Sequence, residues 1–428
     1  MDAKDLYALK TSSPAALANK AVLLFDSDGE PTAFDASTLF NPAYKDLSMY
    51  DHQGQSLLSR STANTYVVNK PGYYMFPFVY GNAIKNGQAN EAAYTNQGGS
   101  NQANFVNHLG NQLTSPYLEG NSGCTPSSVE VSFQTATGLI KDLGTVAGGD
   151  CGYAKFTIES IPTGGGYAVI SAKTSGGVII WSWNIWLYPD DLTEIEVTNH
   201  GNVKYKMLPV NLCAVKNSNI PNRNPHWQWG RPALIPHVSG YNGGGTAVSV
   251  TIASGPAADI ATGIKNPLTF YLADSNNNND WQSGVATRYN HWDAAKSSAG
   301  ATDSNVVKTI YDPSPVGFKI PPANAFTGFT TTGGNTSTAG EFNVVGSFSD
   351  GWKFKRNAND VAGNFFPASG YRSNSAGALY NVGSYGNCWS SAPYSATFAY
   401  LLYFYSGYVY PLYNYSRASG FSVRPVRE

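Results

Sequence analysis

The residues best suited to chemistry in this chain are tyrosines concentrated near its C-terminus. The 44 residues from Ser373 to Ser416 contain ten tyrosines and no Asp, Glu, Lys or Arg. Tyrosine offers a large, rigid contact area at low entropic cost, and interspersed Ser, Gly and Asn offer adaptable hydrogen bonds. This composition is typical of antibody binding sites, so it indicates recognition rather than catalysis.

Residues that could support catalysis or bind a metal are scattered. The carboxylates Asp190 and Asp191 are better interpreted as turn residues than as a glycosidase pair, and His226 beside Trp227 as structural. The polar segment from Asp274 to Asp280 could supply oxygen ligands to Ca²⁺, although a solvated loop is the favoured interpretation. We therefore expect no catalytic residue, no enzyme and no cofactor, with structural Ca²⁺ as the open alternative.

The four cysteines show no metal-binding or redox spacing. None forms a CxxC pair, and no Cys/His spacing suits zinc. Cys124 and Cys151 could form a disulfide, or all four cysteines could be free thiols, and both interpretations stay open.

Composition and charge exclude several classes of protein. Charged residues make up 13% of the 428 residues, and the net charge is -1. Because a basic field is missing, we expect no binding to nucleic acid and no insertion into membranes. No apolar run approaches the roughly 20 residues that span a bilayer, and the first ten residues lack an apolar signal core. Either a signal was trimmed, or the protein leaves its cell by another route, as a phage protein released by lysis would.

The elements that would position the tyrosines are predicted to be mainly strands. Alternating apolar residues and frequent Gly/Asn turns predict a mainly β chain. An α+β C-terminal domain is what the family resemblance, carried by the motifs given below, implies. We expect an attachment or oligomerisation segment over 1–62, an Ig-like β-sandwich over 63–195 and a ligand-binding domain over 196–428. Val178–Tyr188 is the strongest strand signal, and its Trp181, Trp183 and Trp186 are better explained by core packing than by a sugar platform.

Alternation also divides the tyrosine-rich stretch into two faces. Ser406-Gly407 has the composition of a hairpin turn. Residues two apart point to the same side of a strand, so two sets are predicted. Leu402, Phe404 and Val409 form the buried set, whereas the displayed set contains Leu401, Tyr403, Tyr405, Tyr408 and Tyr410. Exposed apolar patches of this size mark interaction sites. Burial of both faces, or an oligomer interface, is the alternative.

The residue alphabet of this stretch is restricted. From Tyr394 to Ser419 there is no Lys, Glu, Gln, Met or Trp. Such a set arises when adenines in Asn-type or Tyr-type codons are replaced while the third base stays a pyrimidine. Cys388 fits, since its codons lie one adenine change from those of Tyr. The pattern indicates that the displayed residues were diversified by mutagenesis.

Several motifs resemble a known family. The chain resembles the major paralogous domain of gut anaerobe surface proteins, which has a C-type-lectin-like fold akin to formylglycine-generating enzymes, at Pro225–Arg231, Ile264–Phe270, Thr309–Pro321, Cys388–Pro393 and Gly420–Arg427. Ala63–Gly72 and Ile180–Trp186 resemble the β-sandwich that often precedes that domain. Ser314 stands where the family often has Cys, and Cys213 where it often has Gly. The paired cysteines of the enzymatic branch are not matched, so a formylglycine-generating-like or glycan-active enzyme is the disfavoured alternative.

The C-terminal stretch is similar to the variable region, about 380–419, of proteins diversified by diversity-generating retroelements. That resemblance implies a rigid scaffold containing Trp389, Phe404, Gly420, Phe421 and Arg424. It implies ligand binding by the variable residues, which are Tyr380, Asn381, Tyr385, Asn387, Cys388, Phe398, Leu401, Tyr403, Tyr405, Tyr408, Tyr410, Leu412, Tyr413, Asn414, Tyr415, Ser416 and Ser419.

The resemblance implies a receptor-binding protein. We expect a homotrimeric phage tail tip or fibre protein, located in the virion tail among other tail proteins. It would attach to a bacterial surface receptor, either a protein or a glycan. A bacterial cell-surface or pilus-tip adhesin is the alternative, and a lipobox in the upstream gene sequence would favour it over phage.

Overall fold

The computed structural model describes residues 44–216, 224–274, 279–283, 288–301 and 305–428, together with two N-terminal strands. The chain divides into two compact units, Met1–Lys45 and Asp46–Glu428. In the smaller unit, β1 (Val22–Phe25) pairs antiparallel with β2 (Pro31–Phe34). Most of the predicted attachment segment lies outside the described residues. The short β3 (Lys45–Asp46) and a 3-10 turn at Leu47–Met49 follow.

A β-sandwich occupies the first part of the larger unit, as predicted. One sheet contains strands in the order β5-β10-β9, and a second contains β8-β11-β12-β4. The rings of Phe76 and Trp183, one from each sheet, lie 5.0 Å apart, so the sheets pack face to face. The strands are β4 (Thr65–Val68), β5 (Gly72–Pro77), β6 (Ile84–Lys85), β7 (Gln88–Ala89), β8 (Ser128–Gln134), β9 (Lys141–Val146), β10 (Tyr153–Ile158), β11 (Gly166–Lys173) and β12 (Ile179–Leu187), with a 3-10 turn at Glu91–Ala93.

The three tryptophans of β12 are core residues. Trp181, Trp183 and Trp186 are all fully buried. Their indole N–H groups donate to Asn64 Oδ1, to the Val79 carbonyl and to the Ala214 carbonyl, respectively, at 3.0–3.2 Å. Core packing, the favoured interpretation of the sequence, is confirmed, and no ring face is open to a sugar.

The remainder of the larger unit consists of short strands joined by long loops. Its one α-helix among the described residues is α1 (Ile260–Lys265), and 3-10 helices cover Ala323–Phe329 and Ala339–Glu341. The strands before the tyrosine-rich stretch are β13 (Ile195–Thr198), β14 (Lys204–Met207), β15 (Trp227–Gln228), β16 (Gly240–Tyr241), β17 (Ala247–Val248), β18 (Thr251–Ala253), β19 (Thr269–Tyr271), β20 (Phe318–Lys319), β21 (Val344–Val345), β22 (Gly351–Phe354), β23 (Asn364–Pro367), β24 (Tyr371–Arg372) and β25 (Leu379–Tyr380).

The C-terminus closes this region. The last two strands of the chain are short, β29 (Gly420–Phe421) and β30 (Val426–Arg427). Strand β29 pairs with β15, and β30 pairs with β14 and β20. Motifs far apart in the sequence therefore meet around the chain end.

The mainly β fold class is confirmed, and the sandwich and the C-terminal region share one hydrophobic core. Strands β16 and β17 extend the sheet of β8 across the predicted boundary at residue 195. The boundaries at 62 and 195 stay predictions. Among the described residues, no helix has the length and apolar character needed to cross a bilayer.

Candidate functional site

The tyrosine-rich stretch forms a three-stranded antiparallel sheet. It consists of β26 (Gly386–Pro393), β27 (Phe398–Tyr405) and β28 (Tyr408–Ser416), in that order. Tyr405 pairs with Tyr408 around the two-residue turn at Ser406-Gly407. The predicted hairpin is confirmed.

One face of this hairpin packs into a second hydrophobic cluster, separate from the core that the sandwich and the C-terminal region share. Leu402, Phe404 and Val409 have no exposed surface, which confirms that set as buried. The Phe404 ring meets the Phe354 ring edge to face at 5.1 Å. Packing of aromatic residues against this face therefore fixes the hairpin to the rest of the domain.

The opposite face carries a continuous group of rings, which we call the tyrosine cluster. The ring centroid of each member lies within 6.4 Å of the ring centroid of at least one other member. The shortest separations are 4.1 Å between Tyr405 and Tyr408 and 4.3 Å between Tyr408 and Tyr410. The cluster comprises Tyr371, Tyr380, Tyr385, Tyr403, Tyr405, Tyr408, Tyr410, Tyr413 and Tyr415.

The central rings of the cluster stack on their neighbours. Tyr403 lies nearly parallel to Tyr413, with 16° between planes and 5.0 Å between centroids, and it also stacks on Tyr408. Burial raises the pKa of Tyr403 and of Tyr408, and the two phenols are hydrogen-bonded to each other. Because neighbouring rings occupy their faces, these central tyrosines leave little free ring face on which a partner could stack.

A β-bulge brings the two halves of β28 onto one face. Tyr403 pairs with Tyr410, but Leu401 pairs with Tyr413, so β28 contains one extra residue in the Pro411-Leu412 segment. An extra residue reverses the alternation beyond it. Strict alternation would put Tyr408 and Tyr410 opposite Tyr413 and Tyr415, whereas the bulge unites all four.

Five predicted ligand-binding residues are buried, and we remove them from the candidate surface. Asn387, Cys388, Leu401, Ser416 and Ser419 are at most 2% exposed. Their predicted role in ligand binding is corrected. The resemblance gave positions along the chain, and alternation gave the face of Leu401, but neither shows how far the rest of the domain covers a residue. Leu401 shares its face with the cluster but lies deeper, in the core.

The other predicted residues are at least partly exposed. Asn381 is exposed at a left-handed turn with φ of 57°. Phe398 and Asn414 are partly exposed, and their pairings with Ser416 and Tyr400 put them on the face opposite the cluster. The candidate surface therefore consists of the tyrosine cluster with Asn381 and Leu412 beside it.

Sequence reasoning missed three contributors. Tyr371, on β24, lies outside the predicted variable set, yet its ring contacts both Tyr380 and Tyr415. Trp352 donates its indole N–H to the Tyr405 carbonyl at 3.0 Å. Asn335 hydrogen-bonds both backbone groups of Leu412. Only a contact pattern between distant segments could have revealed them.

A buried arginine anchors the end of β28. Arg417 donates to the carbonyls of Ser395 at 2.6 Å and Phe398 at 3.3 Å, and its guanidinium lies 4.3 Å from the Trp229 ring centroid. It also lies 3.6 Å from Asp280. Burial lowers the pKa of Arg417 to about 10, with the Asp280 carboxylate opposing that shift.

Asp280 is thus engaged by arginines in this structure. Its carboxylate lies near Arg288 as well as Arg417, and burial raises its pKa. Residues 275–278 of the proposed Ca²⁺ segment lie outside the described residues. Within the described ranges, no three His, Cys, Asp or Glu side chains are grouped as metal ligands.

The other chemically capable residues have structural roles. Asp191 accepts the Thr193 N–H in a turn, and Asp190 pairs with Lys216. His226 is fully buried, which lowers its pKa well below the usual value. All four cysteines are buried free thiols, which settles the alternative left open by the sequence.

Comparison with known proteins yields one match. A family described as "Domain of unknown function (DUF8237)" matches residues 349–426, the segment that contains β22 to β29 and all nine residues of the tyrosine cluster. No curated protein and no solved structure matches the chain.

Proposed function

We propose that this chain is a receptor-binding protein whose tyrosine cluster attaches to a bacterial surface receptor. The observation that supports the proposal is the partly exposed cluster of nine tyrosines, six of which lie on a hairpin without charged residues. Aromatic side chains of this kind dominate the energy of protein interfaces. The domain below is a C-type-lectin-like scaffold in this proposal, and the variable residues on it were diversified by a retroelement.

The cluster suits a partner surface without strong charge. The cluster contains phenol groups and no charged side chain, so it matches a surface rich in peptide groups or other neutral hydrogen-bonding groups. We place the protein as a homotrimer in a phage tail, where several weak sites would act together. A bacterial surface adhesin would use the same face, and the neighbouring genes separate the two: tail genes favour phage.

Cell binding tests the site directly. The full chain would be labelled with a fluorophore and titrated on a panel of anaerobic gut bacteria, next to the triple variant Tyr405→Ser, Tyr408→Ser and Tyr410→Ser. Since each buried tyrosine at an interface is worth more than about 1 kcal/mol, we expect binding to weaken at least about 100-fold.

The matched control removes exposed tyrosines elsewhere. Tyr73 and Tyr241 are 46% and 37% exposed and lie outside the cluster. The variant Tyr73→Ser with Tyr241→Ser should bind as the native chain does. Unchanged binding by the triple variant, in a chain with a native unfolding midpoint, would reject the proposed site. Protease treatment of the cells, compared with periodate treatment, then identifies the receptor as protein or glycan.

A further inference from the structure

The register of the hairpin requires one extra residue in β28. Near the turn, Tyr405 pairs with Tyr408 and Tyr403 with Tyr410. Near the core, Ala399 pairs with Tyr415 and Phe398 with Ser416. A two-residue turn sets the first register, and buried side chains set the second. One residue of β28 must therefore be accommodated between them.

The location of that residue decides which tyrosines join the cluster. With the bulge at Pro411-Leu412, both Tyr410 and Tyr413 lie on the cluster face. A bulge nearer the turn would move Tyr410 to the other face, because alternation reverses on each side of it. A bulge nearer the core would replace Tyr413 by Leu412 opposite Leu401.

A segment outside the hairpin contacts β28 both next to the bulge, at Val409, and within it, at Leu412. Thr336 exchanges two backbone hydrogen bonds with Val409, at 3.0 and 2.9 Å. The adjacent Asn335 accepts the Leu412 N–H at 2.9 Å, and its amide donates to the Leu412 carbonyl at 3.3 Å. A bulged residue loses its ladder partners, and a single side chain here replaces both.

We infer that Asn335 is a positioning residue that holds the bulge at Pro411-Leu412 and thereby keeps Tyr410 and Tyr413 together on the binding face. The consequence for binding rests on the proposed function, whereas the consequence for register does not. Asn335 lies outside the tyrosine-rich stretch and outside the segment matched by the family. Under the proposed function, Asn335 is thus a constant scaffold residue that sets which variable side chains lie on the binding face.

Engineered cysteine pairs measure the register without a ligand. In the observed register Tyr400 is opposite Asn414, so Tyr400→Cys with Asn414→Cys should form a disulfide under mild oxidation. A bulge displaced beyond residue 413 would put Tyr413 opposite Tyr400, so Tyr400→Cys with Tyr413→Cys reports that state. The four native cysteines are buried. The yield of each cross-link would be measured by peptide mass spectrometry.

Adding Asn335→Ala to each cysteine pair should lower the yield of the 400–414 cross-link and raise the yield of the 400–413 cross-link. The ratio of the two yields should change several-fold. Asn335→Asp keeps the acceptor for the Leu412 N–H and loses the donor, so it should give an intermediate ratio. The control Asn343→Ala removes an amide that donates to the Gly328 carbonyl at 2.7 Å, a bond between two residues outside β28. It should leave the ratio unchanged.

Two outcomes separate this inference from the proposed function. If Asn335→Ala gives the native ratio, or Asn343→Ala shifts it equally, Asn335 does not position the bulge. If Asn335→Ala shifts the ratio but leaves cell binding in the native-cysteine background unchanged, the positioning stands and the cluster is not the receptor site.

Discussion

Two leucines of the same hairpin test how deeply each of its side chains is buried. Leu401 and Leu412 were both predicted to bind ligand, yet Leu401 has no exposed surface and Leu412 is partly exposed. Truncating a fully buried leucine to alanine costs about 2–5 kcal/mol, because transfer energy is lost and a cavity remains. Truncating a partly exposed leucine should cost less than about 1 kcal/mol. The backbone bonds between Leu412 and Asn335 survive truncation of the side chain.

The assay is urea unfolding of Leu401→Ala and Leu412→Ala, monitored by tryptophan fluorescence. Leu401→Ala should lower the free energy of unfolding by about 2–5 kcal/mol, and any effect on cell binding should follow the folded fraction alone. Leu412→Ala should unfold almost as the native chain does, and under the proposed function it weakens binding directly. Equal losses of stability in the two variants would refute the placement of Leu401 in the core.

Two further predictions concern burial. Cys388 is 2% exposed. Cys388→Tyr should therefore destabilise the chain by about 3 kcal/mol or more, because the larger side chain overpacks the site and buries a hydroxyl. A native urea midpoint for this variant would show that position 388 tolerates the variation expected of a displayed residue. Burial, followed by Arg288 and Arg417, lowers the pKa of His291 well below its usual 6.5, so the folded chain binds fewer protons than the unfolded chain. The contribution of His291 to stability should then be complete above about pH 6.5 and fall by up to about 1.4 kcal/mol per pH unit below it. Unfolding at about pH 7 and about pH 5.5 measures this slope, which His291→Gln should reduce; an equal slope in that variant contradicts the prediction.

Several local features follow from sequence patterns alone. The turn at Ser406-Gly407, the burial of Phe404 and Val409, and the core role of Trp183 all depend on alternation and composition within one segment. Each needs only the two-residue period of a strand and the preference of large apolar groups for the interior. That is why these predictions agree with the structure.

The extent of the surface required contacts between distant segments. Alternation assigned Leu401 to the displayed face, but the domain packed against that end of the sheet covers it. Tyr371 joins the cluster from a neighbouring strand, and Asn335 reaches β28 across 77 positions of sequence. No local pattern carries that information, because burial and partner choice depend on which segments the fold brings together.

The sequence by itself determined that this chain is mainly β and that its C-terminal stretch is an uncharged, tyrosine-rich hairpin with one buried face. Only the tertiary structure decided which tyrosines share the other face. The physical reason is the bulge at Pro411-Leu412: one extra residue reverses the alternation, and the segment packed alongside the strand stabilises it there.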